Sequence, residues 1–375
     1  MAPNPAMDID VSHPLPLDQW TRWQELANAC AEPNAFYAPP MLGAALTHMA
    51  RPGEVHLIEA YRGEELIGLL PVSVSRRHGR LPFSHAANWM HEHCFLGVPL
   101  IRRGHEAEAW ASFLERLDNA PWAGAFLYLR GIDAAGATAA ALEAVCAAQQ
   151  RPLREAFRHE RALLRSELDA ETYWQTHVRS KKRKELRRLE RRLEEMGAVT
   201  HETLTNQREL TQWCTEFLQL EASGWKGGAG TALSSVPAQA AFFRSACAAA
   251  MDAGQLLFLK IALDGKPVAM LANFLHGEGG FSFEIAIDEE HGRFSPGIFI
   301  EIDNLHAVQG NPDIAWMDSC AAPDHPMIDS LWAERRTIVQ YRIGLRGKGM
   351  TRLVRSAALG IANGAEDLAA WIKGK

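Results

Sequence analysis

The chain has 375 residues and a formal net charge of −6, from 39 Lys and Arg against 45 Asp and Glu. Its hydrophobic fraction of 47% and charged fraction of 22% are ordinary for a folded globular protein and exclude wholesale disorder. Nine basic and two acidic residues lie between Arg179 and Arg192, so this run carries +7 and the rest of the chain −13. Because proteins that coat nucleic acid spread basic residues over a face, this confinement argues against nucleic acid as a partner.

Cysteine usage and hydropathy indicate the compartment. The six cysteines form no CxxC pair, which disfavours a disulfide scaffold and a structural zinc site and is typical of reduced thiols. The first twenty residues contain no basic or apolar signal region, and no stretch approaches the roughly 18 apolar residues that span a bilayer. We expect a soluble, bacterial-type cytoplasmic protein without a metal, and the basic run leaves open a peripheral position on the inner membrane.

Helical and strand patterns alternate along the whole chain, which predicts an α/β (α+β) fold. At roughly 100–200 residues per domain, the length predicts two domains. In the first half we expect helices over 17–29, 39–49, 106–117 and 134–149, and strands over 55–61, 66–75, 125–130 and 156–165. In the second half we expect strands over 255–263, 268–276, 280–287, 314–319 and 336–342, and a helix over 298–309.

Two hairpins of similar sequence lie about 200 residues apart. The first turns at Gly63 and the second at Gly265, and each turn is followed by a long apolar strand. The repetition is consistent with an internal duplication of one domain type. Hairpins with glycine turns are nevertheless common in unrelated folds, so the two hairpins alone do not decide the matter.

The start of the helix over 298–309 has the features of an anion site. Ser295 is a suitable N-cap, Pro296 suits the first helical position, and Gly297 allows a ligand close to the backbone. The free N–H groups of a helix N-terminus attract anions, and Arg293 adds a full positive charge, so a pyrophosphate is the natural occupant. An ordinary capped helix is the alternative. The P-loop and dinucleotide fingerprints are absent from the sequence.

With this order of elements the sequence resembles the GNAT acyltransferase superfamily, and more narrowly its CelD/BcsL-type (BioF2-like) branch, which is related to the double-GNAT FemAB proteins. The resemblance covers residues 166–345 well and the first half more weakly. It departs from the broad superfamily at Pro296, which stands at the first glycine of the usual loop signature. The stretches that carry it are Ser180–Gly197, Leu220–Lys226, Val268–His276, Phe294–Gly297 and Trp316–Asp318.

The resemblance implies two tandem GNAT-like domains, each a mixed, mostly antiparallel sheet flanked by helices. Residues 1–165 would form a degenerate domain, and residues 166–375 would bind acyl-CoA or acetyl-CoA as co-substrate, with the acceptor in the cleft between the domains. The pyrophosphate would be held partly by backbone N–H groups. Four residues are expected to hold it: Arg293, Ser295, Gly297 and Ile298.

Acylation of an amine by a thioester needs a base for the amine, an oxyanion donor and an acid for the leaving thiolate. Glu284 lies where the family often places a carboxylate base, although a strand carboxylate can also simply face solvent. Asp318 and His325 could converge on the same cleft, with Asp318 or Asp324 orienting the histidine. Which of Glu284, Asp318 and His325 is the base stays open. Trp225 and Lys226 are expected to shape the acceptor or acyl channel.

His91 and His93 would share a face if they lay on a strand. Three interpretations are open: a metal site, which lacks obvious third and fourth ligands, acceptor binding, and histidines with only a structural role. We include both residues among the expected substrate-binding residues.

The basic run has one apolar stripe, formed by Leu186, Leu189, Leu193 and Met196 at helical spacing. The stripe is expected to pack on its domain. The cationic face could be solvated, could bind the phosphates of a ligand, could lie on anionic lipid through residues 179–196, or could grip a nucleic acid.

The sequence therefore predicts an acyl-CoA-dependent N-acyltransferase that acts on a primary amine. The acceptor could be a lipid amine such as a sphingoid base, as in the bacterial ceramide synthases of sphingolipid metabolism, or an amino sugar or other small molecule. Two alternatives are a non-catalytic accessory protein of envelope polysaccharide synthesis and a FemAB-like transferase that uses aminoacyl-tRNA.

Overall fold

The computed structural model describes residues 4–10, 16–347 and 349–373, with side chains described for 16–347 and 349–365. The expectation that no secretion signal is present concerns the first twenty residues, of which 1–3 and 11–15 lie outside the described residues. None of the described helices combines the length and apolar character needed to cross a membrane.

The strands and helices are as follows. The strands are β1 (Asn4–Asp10), β2 (Val55–Arg62), β3 (Glu65–Ser75), β4 (His85–Asn88), β5 (Leu100–Ile101), β6 (Phe126–Asp133), β7 (Leu153–Leu164), β8 (Val199–Thr203), β9 (Leu256–Leu263), β10 (Lys266–His276), β11 (Gly279–Ile287), β12 (Trp316–Asp318) and β13 (Glu334–Gly344). The helices are α1 (Leu17–Asn28), α2 (Pro39–His48), α3 (Glu106–Asn119), α4 (Ala137–Ala148), α5 (Ala170–His177), α6 (Ser180–Glu194), α7 (Leu210–Ser223), α8 (Trp225–Gly228), α9 (Pro237–Asp252), α10 (Pro296–Gln309) and α11 (Met350–Lys373).

Every helix and strand expected from the sequence is present, with ends shifted by a few residues. The basic helix α6 and the strand β8 that follows it are also confirmed. Some elements were not predicted from the sequence, namely helices α5, α7, α8, α9 and α11 and strands β1, β4 and β5.

Two compact units make up the chain, and each is assembled from separated segments. The first unit contains residues 1–39, 50–159 and 337–375, and the second contains 40–49 and 160–336. This division differs from the expected single boundary after residue 165. The second unit includes α2 from the first half of the sequence, and the first unit includes most of β13 and α11 from the end.

The sheet of each unit is mixed and mostly antiparallel, as expected. In the first unit the strand order is β1-β2-β3-β4-β6-β13, with β5 also paired to β3, and only β4 and β6 run parallel. In the second unit the order is β8-β9-β10-β11-β12-β7, and only β11 and β12 run parallel. Both sheets therefore have the same order of pairings, which is three antiparallel, one parallel and one antiparallel. This repetition confirms the internal duplication.

The repeated hairpin has a local cause. Asp264 and Gly265 both have positive φ, at 49° and 77°, which is the backbone of a two-residue type I′ turn between Leu263 and Lys266. Gly63 has a φ of 64° in the corresponding turn of the first unit. Because only glycine and, less readily, Asp or Asn adopt this backbone, the two turns also explain why the sequence signal was recognisable.

Helices cover both faces of the second sheet. On one face, Leu186 and Leu193 of α6 pack with Phe299 and Ile300 of α10 against β9 and β10. On the other face, aromatic side chains of α7 and α9 stack against the sheet, and Phe243 lies parallel to Phe283 with the ring centroids 6.3 Å apart. The predicted apolar stripe of α6 is thus confirmed for its leucines, whereas Met196 is 47% exposed.

Candidate functional site

The N-terminus of α10 lies directly after β11 and a short 3-10 turn at Glu289–Phe294. Ser295 occupies the N-cap position in a left-handed conformation, with a φ of 62°, and its side chain makes no capping hydrogen bond. Its carbonyl oxygen instead accepts the N–H of Ile298 at 2.9 Å. The predicted Ser295 position is confirmed, but the expected capping by its hydroxyl is wrong, because the left-handed backbone replaces the extended one that side-chain capping needs.

Gly297 lies in the first turn of α10, where backbone N–H groups have no acceptor within the helix. It is buried against the end of β11 and the loop before the 3-10 turn at Ile328–Ser330. A Cβ atom at this position would lie 3.3 Å from Ile287 Cγ2 and 3.6 Å from Met327 Sδ. The absence of a side chain therefore lets the strand and the loop approach the start of the helix.

A cavity of about 790 Å³ opens beside this turn, entirely within the second unit. Ser295 and Ile298 line one wall, and the first half of α6 lines another. The remaining wall belongs to the loop that follows β12. The complete lining is His177, Arg179, Lys181, Lys182, Glu185, Leu186, Leu189, Ser295, Ile298, Pro326, Asp329 and Ser330.

The cavity has a cationic rim. Arg179 and Lys181 are exposed at its edge, and Lys182 donates to the Ser330 hydroxyl. Partial burial lowers the pKa of the Lys182 ammonium. The two acidic lining residues are each paired outside the lining: Glu185 with Arg188 at 3.2 Å, and Asp329 with Arg335 at 3.7 Å. The charge available to a ligand is consequently positive.

Arg293 occupies the turn before α10 but is not among the residues that line the cavity. Its guanidinium carbon lies 4.7 Å from the centre of the Phe294 ring, and a terminal nitrogen lies 3.9 Å from Met196 Sδ. Of the four predicted pyrophosphate residues, the structure therefore brings Ser295 and Ile298 to the cavity, places Gly297 behind them and directs Arg293 elsewhere. The cations of α6 take the place expected for Arg293.

A second group of ionisable residues lies on the α7–α9 side of β11. The ammonium nitrogen of Lys226 lies 2.5 Å from a Glu284 carboxylate oxygen and 3.1 Å from a Glu221 oxygen. The other oxygen of Glu221 accepts the N–H of Leu233 at 2.8 Å. The structure thus joins two predicted site residues, Lys226 and Glu284, through direct contact. Glu221 was not predicted, although it lies in the Leu220–Lys226 stretch that carries the family resemblance.

The three charges affect one another. Burial lowers the tendency of Lys226 to be charged, but the carboxylates of Glu284 and Glu221 outweigh it and raise the pKa of the ammonium. Burial raises the pKa of Glu221, and the contact with Lys226 only partly opposes the shift. Lys226 is therefore a protonated cation at neutral pH, which excludes it as the base and suits it to orienting a carboxylate.

A β-bulge directs Glu284 to this side of the sheet. Ala272 of β10 pairs with Glu284, and Asn273 pairs with Ser282, so Phe283 is the extra residue. Because of the bulge, Phe283 and Glu284 reach the α7–α9 side together. Pairing of β11 with β12 covers only Gly279–Phe281, and β11 continues to Ile287 after β12 has ended at Asp318. The sheet is split beside the bulge.

Asp318 is fully buried at the end of β12. Its carboxylate accepts from Arg161 at 2.6 Å and from Arg336 at 2.9 Å, and its other oxygen accepts the N–H of Cys320 at 2.9 Å. Burial favours the neutral form, but the two guanidinium groups outweigh it and hold the pKa of Asp318 below its ordinary value. Asp318 and Glu284 thus have different partners. The predicted acid–base role of Asp318 stays a prediction, and its contacts describe a residue that anchors the following loop.

The loop after Asp318 carries Asp324 and His325. Asp324 is exposed, with a positive φ of 57°, and His325 is half-buried, with Nδ1 3.5 Å from the N–H of Ile328. The next residue, Pro326, lines the cavity. The structure thus brings this loop to the cavity at the α10 N-terminus. The catalytic role of His325 stays a prediction.

Trp225 begins the short helix α8 and is 64% exposed. Its backbone N–H donates to Glu289 at 2.6 Å, which ties α8 to the turn between β11 and α10. This contact links the segment that contains Lys226 to the segment that leads to Ser295. The role of Trp225 in shaping an acceptor or acyl channel stays a prediction.

His91 and His93 lie in the loop after β4, in the first unit, and not on a strand. Their ring centroids are 6.4 Å apart, so the shared strand face considered above does not exist. Burial, together with His93, lowers the pKa of His91 to about 3, so this imidazole is neutral near pH 7. Among the described residues no group of three or more His, Cys, Asp or Glu could hold a metal ion. Acceptor binding by the two histidines stays a prediction.

The two units differ in the segment that follows the first strand of the parallel pair, which in the second unit leads to the cavity. In the second unit the strand of the parallel pair, β11, leads through one short turn into α10. In the first unit the corresponding strand, β4, has only four residues, and a long loop and β5 separate it from α3. In its described residues the first unit thus has no helix N-terminus directly behind its parallel pair. The degenerate character expected of the first half stays a prediction.

Comparisons with known proteins identify relatives of this architecture. Residues 180–320 match the family model described as an acetyltransferase (GNAT) domain. The comparison with curated protein sequences finds no match. Among solved structures, FemX is similar with a TM-score of 0.56 at 10% identity, over 90% of this chain and 96% of FemX.

Two further structures are similar to nearly the whole chain. One is the C-terminal domain of an Agrobacterium fabrum protein named as a lysylphosphatidylglycerol synthetase, with a TM-score of 0.55 at 13% identity, over 87% of this chain and 91% of that domain. The other is L-PGS from Bacillus licheniformis, with a TM-score of 0.50 at 13% identity, over 92% of this chain and 95% of that structure. At such low identity these similarities concern the fold, and they confirm the double arrangement expected from the sequence.

Proposed function

We propose that this chain, whose residues 180–320 form a GNAT domain within a double-GNAT, FemAB-like fold, transfers an acyl group from a CoA thioester to a primary amine. The observation that carries the proposal is the cavity at the α10 N-terminus with its cationic rim. Within the superfamily we assign the chain to the CelD/BcsL-type branch, on the Leu220–Lys226 and Phe294–Gly297 stretches.

The cavity suits the phosphates of CoA for two reasons. The first turn of α10 presents the positive end of a helix and the N–H of Gly297, which favour an anion. Arg179, Lys181 and Lys182 add full charges from α6, and charge-assisted bonds to phosphate are the stronger kind. The apolar lining residues Leu186 and Ile298 complement the less polar parts of the ligand. Among the four alternatives for α6, these features support phosphate binding along its first two turns.

The chemistry is assigned to the bulged part of β11. The amine nitrogen attacks the thioester carbon, the carbon–sulfur bond breaks, and CoA leaves as a thiolate that takes up a proton. Glu284 is the proposed base that receives the amine proton, because its carboxylate follows the bulge beside the split in the sheet. Lys226, balanced by Glu221, is a positioning residue that fixes Glu284. His325 is a candidate acid for the thiolate, and Asp318 holds the loop that carries it.

The proposed acceptor is a lipid amine, with a sphingoid base as the model and an amino sugar as the alternative. Two observations support a lipid. The outer face of α6 keeps Arg188, Arg191 and Arg192 exposed, which complements an anionic surface. One protein of similar fold is named for the synthesis of a phospholipid, lysylphosphatidylglycerol. The protein would then act at the cytoplasmic side of the inner membrane.

Calorimetry with CoA tests the donor site. We expect the wild-type protein to bind CoA, and the double variant Lys181→Gln/Lys182→Gln to bind it at least about tenfold more weakly through loss of two phosphate contacts. Arg192→Gln removes one charge from the same helix away from the cavity and should bind as the wild type does. Absence of CoA binding by the wild type would remove the acyl-CoA proposal.

Release of free CoA thiol tests the reaction. Acetyl-CoA and palmitoyl-CoA are compared with a sphingoid base and with glucosamine as acceptors. Glu284→Gln should reduce the rate about 10²-fold or more while CoA binding is retained, because a general base is lost and the donor site is not. CoA binding without thiol release for any amine would favour the accessory role, and transfer from aminoacyl-tRNA would favour the FemAB-like role, for which the FemX-like fold is the supporting observation.

A further inference from the structure

The side chain of Lys182 is half-buried in the wall of the cavity at the α10 N-terminus. Its terminal nitrogen donates to the hydroxyl oxygen of Ser330, which also lines the cavity. Ser330 gives its own hydrogen to the carbonyl oxygen of Met327. Because a hydroxyl has only one hydrogen to donate, its contact with Lys182 leaves the lone pair of a neutral amine unused.

No carboxylate of the described residues forms an ion pair with Lys182, and the two acidic residues of the cavity lining are paired with arginines. Burial lowers the pKa of the Lys182 ammonium. Lys226 is the contrasting case, because two carboxylates contact it and raise its pKa. A larger fraction of Lys182 is therefore the neutral amine, which is the nucleophilic form of lysine.

The cavity brings this amine next to a place suited to phosphate, at Arg179, Lys181 and the start of α10. In an acyl phosphate, a single bridging oxygen joins the reactive carbonyl carbon to phosphorus. A phosphate bound in the cavity thus brings that carbonyl within reach of Lys182. In acyl-CoA the whole pantetheine arm separates the thioester from the phosphates, so the same binding mode holds the thioester away from Lys182.

We propose that Lys182 is a modification site, acylated by acyl phosphates, and that its acylation lowers the affinity of the cavity for phosphate ligands. The neutral amine attacks the carbonyl carbon, the bond from that carbon to the bridging oxygen breaks, and inorganic phosphate leaves with the electron pair. The proton lost by the nitrogen passes to phosphate or water. The product is an uncharged amide, so the lining keeps only two of its three lysine and arginine charges.

The inference rests on the phosphate site of the proposed function and does not depend on transfer to an amine acceptor. Peptide mass spectrometry of the full-length protein treated with acetyl phosphate tests the modification. Lys182 should be acetylated at least about tenfold faster than Lys184, an exposed lysine of the same helix that lies outside the cavity lining. Acetic anhydride, which carries no phosphate, should show a several-fold smaller preference for Lys182.

Two arginine variants test whether the bound phosphate directs the reaction. Arg179→Gln removes a cation from the cavity lining and should slow acetylation of Lys182 by acetyl phosphate about threefold or more. Arg187→Gln is the matched control, because Arg187 is exposed on the same helix and does not line this cavity. It should be acetylated at Lys182 as fast as the wild type.

Calorimetry with CoA and with inorganic pyrophosphate tests the consequence. The wild-type protein treated with acetyl phosphate should bind both ligands about threefold more weakly or worse than the untreated protein, since one cation is lost. Lys182→Arg keeps the charge and offers no amine to acylate, so its affinities should be the same before and after treatment. Any loss that acetylation of other lysines causes would appear equally in this variant.

Three outcomes would overturn the proposal. They are equal acetylation of Lys182 and Lys184, an unchanged preference when acetic anhydride replaces acetyl phosphate, and equal loss of affinity in the treated wild type and Lys182→Arg. Failure of the proposed function has a different result. Selective acetylation of Lys182 in a protein that binds pyrophosphate but not CoA would remove the acyl-CoA donor and support the modification site. CoA binding without selective acetylation would do the reverse.

Discussion

The ammonium group of Lys226 lies 2.5 Å from a carboxylate oxygen of Glu284, at the point where β11 bulges and the sheet begins to split. Glu221 approaches the same ammonium from α7 at 3.1 Å and is itself almost fully buried. One cation thus serves two carboxylates, only one of which faces the proposed reaction. Removing the charge of Lys226 should therefore destabilise the protein, whereas neutralising Glu221 as well should restore part of the lost stability.

Lys226→Met should destabilise the protein by about 2–4 kcal/mol, because it leaves two largely buried carboxylates without their cation. Adding Glu221→Gln should recover part of the loss, since one uncompensated charge disappears. Urea unfolding at pH 7 measures both effects. Lys184→Met, at an exposed position of α6, is the control and should change the free energy of unfolding by less than about 0.5 kcal/mol. Equal stability of the two lysine variants would contradict the prediction.

Asp318→Asn should cost about 3–5 kcal/mol at pH 7, because the buried guanidinium groups of Arg161 and Arg336 would lose the negative charge of this carboxylate. Asp318 has a folded-state pKa below the ordinary value of 3.8, so its stabilising contribution is fully present above that value. The contribution is lost as pH falls through the lower folded-state pKa. The difference between wild type and variant should be constant from pH 8 to about 5 and shrink only in strong acid. A difference that vanishes by pH 5 would count against this assignment.

Gly297→Val should weaken CoA binding about tenfold or more and reduce stability by about 1–3 kcal/mol. A Cβ at this position would already lie 3.3 Å from Ile287, so a larger side chain must push the strand or the loop at Met327 away from the helix start. Gly292→Val is the matched control, because a Cβ at Gly292 meets no atom within 4 Å. Calorimetry with CoA and urea unfolding give the two quantities. Normal binding by the Gly297 variant would show that this turn does not hold the donor.

Ser295→Gly should stabilise the protein by about 0.5–1 kcal/mol, because glycine adopts the left-handed conformation of this position at lower cost than serine. Ser295→Ala should be nearly neutral, since the hydroxyl makes no capping bond that could be lost. Thermal unfolding compares the three proteins. If Ser295→Ala lost about 1 kcal/mol, as removal of a side-chain cap typically does, the hydroxyl would have a role that the structure does not give it.

Local patterns were readable from the sequence because their causes are local. The hairpin at Asp264 and Gly265 could be predicted because these residue types accept a positive φ. The apolar spacing of α6 could be read because those side chains pack on the sheet. The helix start at Pro296 was predicted for the same reason. The missing capping hydrogen bond of Ser295 was not predicted, because the left-handed backbone of this residue follows from the preceding 3-10 turn.

Contacts between side chains far apart in the sequence could not be predicted. Arg161 lies 157 residues from Asp318, and nothing in either neighbourhood marks them as partners. Glu221 illustrates an intermediate case, since the Leu220–Lys226 stretch was noticed but the burial that pairs Glu221 with Lys226 depends on how α7 meets β11. The cationic wall of the cavity was one of four alternatives for α6, and only the fold brings those side chains beside Ser295.

Each unit completes its sheet with a strand from the other half of the sequence. The first unit uses residues 337–344 of β13 beside β6, and the second uses the end of β7 beside β12. A protein cut after residue 165 would give an N-terminal piece with a bare β6 edge and a C-terminal piece without Arg161, the partner of Asp318. Unpaired strand edges promote aggregation, and Asp318 would keep only one of its two guanidinium partners, that of Arg336. Each half of the sequence alone therefore lacks a strand or a charge partner that its sheet uses, and we expect the two pieces to fold poorly when they are separated.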